Sequence, residues 1–250
     1  SSTKKYEAIA RSVCGDGRVH GCFQFAGAGR TGRWAGRLVQ LQNLPQNHMT
    51  DLDSARWLVH EGDEETFNAV YPDVSSALSE LIRTALIPEE GHRFIVADYS
   101  AIEARVIAWI AGEDWRLKVF ENGGDIYCAS ASQMFKVPVV KHGENGHLRQ
   151  KGKIAELALG YGGGVNALKA FGADKSMTEE EMVETVDLWR SASPRICALW
   201  KSMEKAAIRC VVRKEPVMSV AGSILFEYED GVMWMTLPSG RRIAYWGMQY

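Results

Sequence analysis

Apolar residues at 94–97, Phe94-Ile95-Val96-Ala97, run directly into Asp98, a length and composition that predict a buried strand ending at a carboxylate. Ser100 and Glu103 follow at capping-box spacing, so a helix over residues 101–111 is expected to open behind that acid. Residues 115–135 read as two short helices. Arg149, Lys153, Leu157 and Tyr161 then recur at every fourth position, which stacks them along one face of a further helix. Gly160, Gly162, Gly163 and Gly164 stop that helix and leave room beside Tyr161. Thr178 and Glu181 form a second capping-box pattern, opening a helix to Ser191, and Ser193-Pro194 starts another running to Lys214. Trp189, Trp200 and Met203 along these helices are expected in the core. From Glu215 the pattern turns to strands, with Asp230-Gly231 between apolar runs as a hairpin turn. Toward the start, residues 19–25 suggest a strand, 41–45 an extended segment, and 48–86 a charged helix-forming stretch. Together these elements predict an α+β fold without internal repeats or low-complexity linkers.

Two of these elements carry chemistry. A carboxylate at a strand end faces a rim where Mg²⁺ can sit, bound through one or two carboxylates plus substrate phosphates. An ordinary strand-turn-helix with a solvated Asp would read the same way, and Glu103 has a plain explanation as the reciprocal cap partner. The second element is more specific. Two cations one turn apart, then an apolar residue, then an aromatic, match a nucleotide from its phosphates to its base. Arg offers a planar fork for phosphate oxygens and Lys a compact point charge. A solvated basic face would explain the cations, but not why Tyr161-Gly162 completes the stripe.

The order of these motifs resembles the family A DNA polymerases, the bacterial DNA polymerase I type, and above all their phage-like members. Asp98-Tyr-Ser-Ala-Ile-Glu103-Ala-Arg105 resembles the family's motif A, and Arg149-x3-Lys153-x3-Leu157-x3-Tyr161-Gly162 its motif B. Thr31-Gly32-Arg33 and Leu41-Gln42-Asn43-Leu44-Pro45 are similar to the segment that touches the primer-template duplex. Gly124-Asp-Ile-Tyr127 is similar to the helix before motif B. The resemblance implies a partial palm sheet carrying Asp98, with helical fingers from Trp115 onward. It divides the chain into a primer-template segment (1–46), a helical insertion (47–86), a palm strand and helix (87–112), fingers (113–214) and a β-rich end (215–250).

The same resemblance implies template-directed DNA synthesis: nucleotidyl transfer from a dNTP to a primer 3′-hydroxyl with two Mg²⁺ ions. Asp98 and the Tyr99 carbonyl would hold metal. Glu103 would stand against the sugar as a gate against a 2′-hydroxyl. Arg149 and Lys153 would take the triphosphate, Lys153 also serving catalysis, and Tyr161 would close on the nascent base pair. Thr31, Arg33, Gln42, Asn43 and Gly162 would touch primer-template. Arg33 would do so in the minor groove, where the base pairs share acceptor atoms and a check on pairing need not depend on sequence.

The chain also departs from the family pattern. Leu157 stands where Phe or Tyr is usual, Ala101 replaces a common Gln, and Tyr127 a common phosphate-contacting His. No His-Asp pair occurs anywhere, so the second catalytic aspartate of motif C is missing. Glu229-Asp230 comes too early to replace it and reads as a turn. The expectation is therefore a palm-fingers portion, inactive alone, whose motif C comes from a missing C-terminal segment or a separate chain. A non-catalytic DNA- or nucleotide-binding accessory module and a single-subunit RNA polymerase relative are the alternatives; Glu103 at the sugar gate argues against the second.

Composition adds limits. At 250 residues and 46% hydrophobic content, the chain can bury a sizeable core or two smaller ones. Five cysteines, odd in number and without metal-like spacing, suit a reduced cytosolic protein, and the resemblance implies a bacterial or phage-infected cell. No apolar run reaches membrane-spanning length and no secretory signal opens the sequence. The net charge of −2 does not suggest a nonspecific DNA coat but leaves room for local basic surfaces. Arg30, Arg33 and Arg37 around Trp34 form one; Lys136, Lys141, Arg149, Lys151 and Lys153 form another. Gly27-Ala-Gly29-Arg-Thr-Gly32 satisfies a dinucleotide-binding spacing, but the required helix is interrupted by Gly36. The glycines at 162–164 end a helix instead of opening one, and lack the Gly-Lys-Ser/Thr of a phosphate loop.

Overall fold

The computed structural model describes residues 3–29, 31–219 and 223–249. Arg30, part of the expected basic surface, lies outside them. The chain divides into two compact units, Ser1–Val96 and Ala97–Tyr250.

The first unit opens with helix α1 (Thr3–Ser12), followed by an antiparallel hairpin of β1 (Phe23–Ala28) and β2 (Arg33–Gly36). The hairpin turns where the dinucleotide-like glycines lie, so no helix follows them. The strand expected over 19–25 is shifted, because residues up to Cys22 lack a ladder partner in β2. The segment expected to be extended instead coils into a 3₁₀ turn, Leu41–Asn43. Helices α2 (Leu52–Glu61), α3 (Glu64–Val70) and α4 (Val74–Leu81) fill the charged stretch. Asp63 and Asp73 cap α3 and α4 by accepting from Thr66 N and Ser76 N. Ala55, Phe67, Ala77 and Leu81 bury one cluster, and Cys22, Val39, Leu44 and Ile82 another.

The strand expected at 94–97 is absent, which corrects the sequence reading. Ile95 and Val96 are 87% and 90% exposed, and no described residue pairs with the segment. A strand exists only against a neighbour that completes its ladder, and four apolar residues cannot supply one themselves.

In the second unit α5 (Ile102–Ala111), α6 (Asp114–Glu121), α7 (Ile126–Phe135), α8 (Leu148–Leu159), α9 (Val165–Ala170), α10 (Glu179–Ala192) and α11 (Pro194–Arg213) precede a four-stranded antiparallel sheet. Its strands are β3 (Val217–Met218), β4 (Leu225–Glu229), β5 (Val232–Thr236) and β6 (Arg242–Trp246), in sequence order. The α+β expectation holds, with the sheet at the end of the chain.

The capping box expected at Ser100 and Glu103 does not form. Ala101, at φ 51°, is the N-cap of α5 and makes no side-chain cap, while the Ser100 carbonyl accepts from Arg105 Nε at 2.8 Å. The box at Thr178 and Glu181 does form, in both directions. Pro194 opens α11 as its first residue; there the buried Glu113 carboxylate, not Ser193, accepts from the backbone N–H groups of Arg195 (2.9 Å) and Ile196 (3.3 Å).

Met134, Ile154, Leu159, Leu168, Val186, Trp189 and Ile196 close the main helical core. Alternation does the rest: Ile224, Phe226 and Tyr228 with Met233 and Met235 pack on Ala206, Cys210 and Val211 of α11. Glu227, Trp234 and Arg242 form the other face, with the Arg242 guanidinium 4.4 Å from the Trp234 ring centre. Asp230 (φ 50°) and Gly231 (φ 82°) make the β4–β5 turn, the paired positive φ that a tight hairpin requires.

Candidate functional site

Helix α8 is apolar on one side and carries the expected stripe on the other. Gly152, Ile154, Ala155, Ala158 and Leu159 are buried, whereas Arg149, Lys153 and Leu157 reach solvent. The helix sits unusually close to α7: a Cβ on Gly152 would lie 2.3 Å from the Tyr127 carbonyl oxygen. Glycine is what permits that approach.

A buried ion pair fixes α8 from behind. Arg116 of α6 donates from Nη1 to Glu156 Oε2 at 2.6 Å and from Nη2 to Ser193 Oγ at 2.8 Å. The other Glu156 oxygen accepts from the Trp189 indole N–H at 2.9 Å. The Arg116 and Glu156 side chains are 1% and 3% exposed, and Trp189 stacks on Trp200 at 5.9 Å between ring centres. One network thus joins α6, α8, α10 and the start of α11. Lys151 adds an outer tie to Glu181 of α10 at 3.1 Å.

At the front, Arg149 donates from Nε to Asp125 Oδ2 at 2.8 Å, and its guanidinium carbon lies 5.3 Å from the Tyr127 ring centre. Asp125 is the N-cap of α7; its Oδ1 accepts from Tyr127 N (2.9 Å) and Cys128 N (3.3 Å). Burial pushes the Tyr127 hydroxyl pKa up, helped by the negative charges of Glu156, Asp125 and Glu103. Lys153, half-buried one turn beyond Arg149, has no ion-pair partner among the described residues.

Not every stripe residue is helical. Helix α8 ends at Leu159, and Tyr161, 74% exposed, lies in the following turn closed by Gly162 at φ 79°. The fourfold spacing overran the helix because Gly160 ends it one residue before Tyr161.

The structure thus brings together Arg149 and Tyr127, with Lys153 and Leu157 following on the same helix. Asp98 and Tyr99 lie in the irregular stretch before α5, with Tyr99 80% exposed, and Glu103 is exposed in the first turn of α5. Two Mg²⁺ ions need several oxygen ligands. No group of three or more His, Cys, Asp or Glu comes together among the described residues, so those present do not by themselves fit the metal pair. Glu229 does not change this; its carboxylate faces the Arg242 guanidinium at 3.8 Å, and Asp230 is spent on the turn.

In the first unit, Thr31 shapes the β1–β2 turn: its N–H donates to the Ala28 carbonyl at 3.1 Å, and Arg33 begins β2. Gln42 and Asn43 sit in the 3₁₀ turn, where Asn43 Nδ2 donates to Gln40 Oε1 at 3.1 Å. Phe23, Phe25 and Trp34 make exposed edge-to-face ring contacts beside Arg33 and Arg37.

Sequence reasoning missed Asp125, Arg116 and Glu156. Asp125, directly before the first residue of α7, is a residue type that favours the N-cap position. Arg116 and Glu156 carried no such signal, since charged residues 40 positions apart announce no pairing. No helix of the described residues is long and apolar enough to cross a membrane.

The sequence model of DNA polymerase family A matches residues 2–214. A DNA polymerase of Bacillus phage SP02 is 54% identical over 246 residues, 98% of this chain and 38% of the phage protein. DNA polymerase I of Rhizobium leguminosarum is 33% identical over 65% of this chain and 12% of its own length. The thermostable DNA polymerase I of Thermus thermophilus is 32% identical over 50% of this chain and 14% of its own. The chain therefore spans well under half the length of these relatives. Among solved structures, the POL domain of Pol1 from M. smegmatis, in complex with DNA primer-template and dNTP, superimposes with a TM-score of 0.59. That match covers 88% of this chain and 32% of the other at 21% identity, a likeness of fold.

Proposed function

Because the chain belongs to DNA polymerase family A, we propose that it contributes the nucleotide-binding and primer-template-binding part of template-directed DNA synthesis. The observation that carries this reading is the open face of α8, where Arg149 and Lys153 stand one turn apart on a helix pinned from behind by Arg116 and Glu156. A triphosphate laid along that face meets a planar fork and then a point charge. Leu157 and Tyr161 lie on toward the sugar and base, and Tyr127 fills the place of a phosphate-contacting His. Glu103 acts as the sugar gate. Thr31, Arg33, Gln42, Asn43 and Gly162 contact primer-template.

Asp98 and the Tyr99 carbonyl contribute to holding Mg²⁺, but the described residues do not by themselves complete that site. The second carboxylate is proposed to come from another segment or a separate chain, so that this chain alone extends no primer. The setting is the cytoplasm of a bacterial or phage-infected cell.

The test is calorimetric titration of the full chain with a dNTP and with the matching monophosphate. Tighter binding of the triphosphate is expected, with Arg149→Ala and Lys153→Ala each weakening it about tenfold or more, the scale of one charge-assisted hydrogen bond. Equal binding of mono- and triphosphate, or no effect of either variant, would refute the reading.

A further inference from the structure

We infer that Asp125 is a positioning residue for triphosphate recognition, holding the Arg149 guanidinium in the pose that meets the phosphates. The inference rests on the reading of Arg149 as a phosphate ligand and adds a residue that touches no substrate.

Two contacts define the pose. Asp125 Oδ2 takes the Nε–H of Arg149 at 2.8 Å, and the Tyr127 ring lies against the guanidinium at 5.3 Å. The carboxylate itself cannot swing away, because its Oδ1 caps α7 through Tyr127 N and Cys128 N. A fixed backbone feature thereby fixes a long side chain 24 residues away in sequence. The bond is made at Nε, the inner nitrogen, so the terminal nitrogens keep donors for phosphate oxygens. Holding a flexible side chain in its binding pose before the ligand arrives lowers the ordering cost of binding.

Burial favours this grip. The Arg149 and Asp125 side chains are 24% and 30% exposed, so solvent screens the pair less than an open surface pair. Burial alone would push the Asp125 carboxyl pKa up; the Arg149 guanidinium and the two backbone donors outweigh it and leave the pKa below the ordinary value. Asp125 is therefore ionised at neutral pH.

The opposite role, a carboxylate that competes with phosphate for Arg149, makes the opposite prediction, and Asp125→Asn separates the two. Asn keeps an oxygen that caps α7 but removes the charge facing Arg149. In calorimetric titration of the full chain with a dNTP, Asp125→Asn is expected to weaken binding roughly tenfold. Primer-template affinity should stay unchanged, and the melting temperature should fall only slightly, by the share of stability that the ionised carboxyl supplies. In the Arg149→Ala background the same substitution should add nothing, because it acts only through Arg149. Unchanged or tighter dNTP binding by Asp125→Asn, or an undiminished loss in the Arg149→Ala background, would overturn the inference. If Arg149→Ala and Lys153→Ala both bind like the wild type, the underlying phosphate reading fails, and this inference with it.

Discussion

Removing Glu156 is the sharpest perturbation of the scaffold behind the nucleotide face. In Glu156→Leu the Arg116 guanidinium stays buried, loses its 2.6 Å ion pair and keeps only the Ser193 hydroxyl as partner. Its Nε already lacks a hydrogen-bond partner, and the Trp189 indole N–H, 2.9 Å from the other oxygen, would be stranded too. Breaking a buried pair from one side costs about 3–5 kcal/mol, and an unsatisfied indole adds about 1 kcal/mol or more. Against a typical total of about 5–15 kcal/mol, that is a large share. Glu156→Gln should also lose stability: whichever way the amide is turned, its NH₂ faces one of the two donors. Arg116→Met combined with Glu156→Leu removes both charges from the same space. It should recover most of the loss, since well-packed apolar replacements of buried pairs are often neutral or stabilising. Urea unfolding followed by tryptophan fluorescence reads the wild type, Glu156→Leu, Arg116→Met and the double variant, and this cycle isolates the coupling. A Glu156→Leu cost below about 1 kcal/mol would refute the argument. So would a double variant no more stable than the worse single one.

Two further outcomes follow from the α7–α8 contact. Gly152→Ala gains about 1 kcal/mol in helix propensity but drives a methyl to 2.3 Å from the Tyr127 carbonyl, a backbone atom that cannot step aside. A lower melting temperature and weaker dNTP binding are expected, whereas Gly15→Ala, with nothing within 4 Å, should stay within about 0.5 kcal/mol of wild type; a higher melting temperature for Gly152→Ala would contradict the close packing. Acid titration of stability tests Asp125: its folded pKa lies below the ordinary 3.8, so the unfolded state binds more protons in acid. Its contribution is complete above 3.8 and is lost as pH falls through the depressed folded value. Between about pH 5 and pH 3 the urea midpoint of Asp125→Asn should therefore fall less than that of the wild type, and parallel curves would remove Asp125 as a source of the slope.

The sequence was readable where a feature is local. Thr178 and Glu181 announce their box, Pro194 its helix start and Asp230-Gly231 its turn because each needs only residues a few positions away. Ser100 and Glu103 show the same spacing yet fail, since Ala101 takes a left-handed conformation and becomes the cap itself. Phe94 to Ala97 looks like a strand by composition, but strand identity belongs to a pair of segments. The Arg149–Lys153–Leu157 face was legible from periodicity, while its end before Tyr161 depended on where Gly160 breaks the helix. What holds that face lies far off in sequence: Arg116 pairs with Glu156 40 residues on and with Ser193 77 residues on. Charged residues usually seek solvent, so nothing in their types marked them as core.

Primer extension with dNTPs and Mg²⁺ tests the central claim most directly, run with the chain alone and with a separately made polymerase segment supplying the second carboxylate. The expected result is no extension by the chain alone, extension on adding the segment, and loss of that extension in Asp98→Ala. Robust extension by the chain alone, or complemented extension that survives Asp98→Ala, would contradict it.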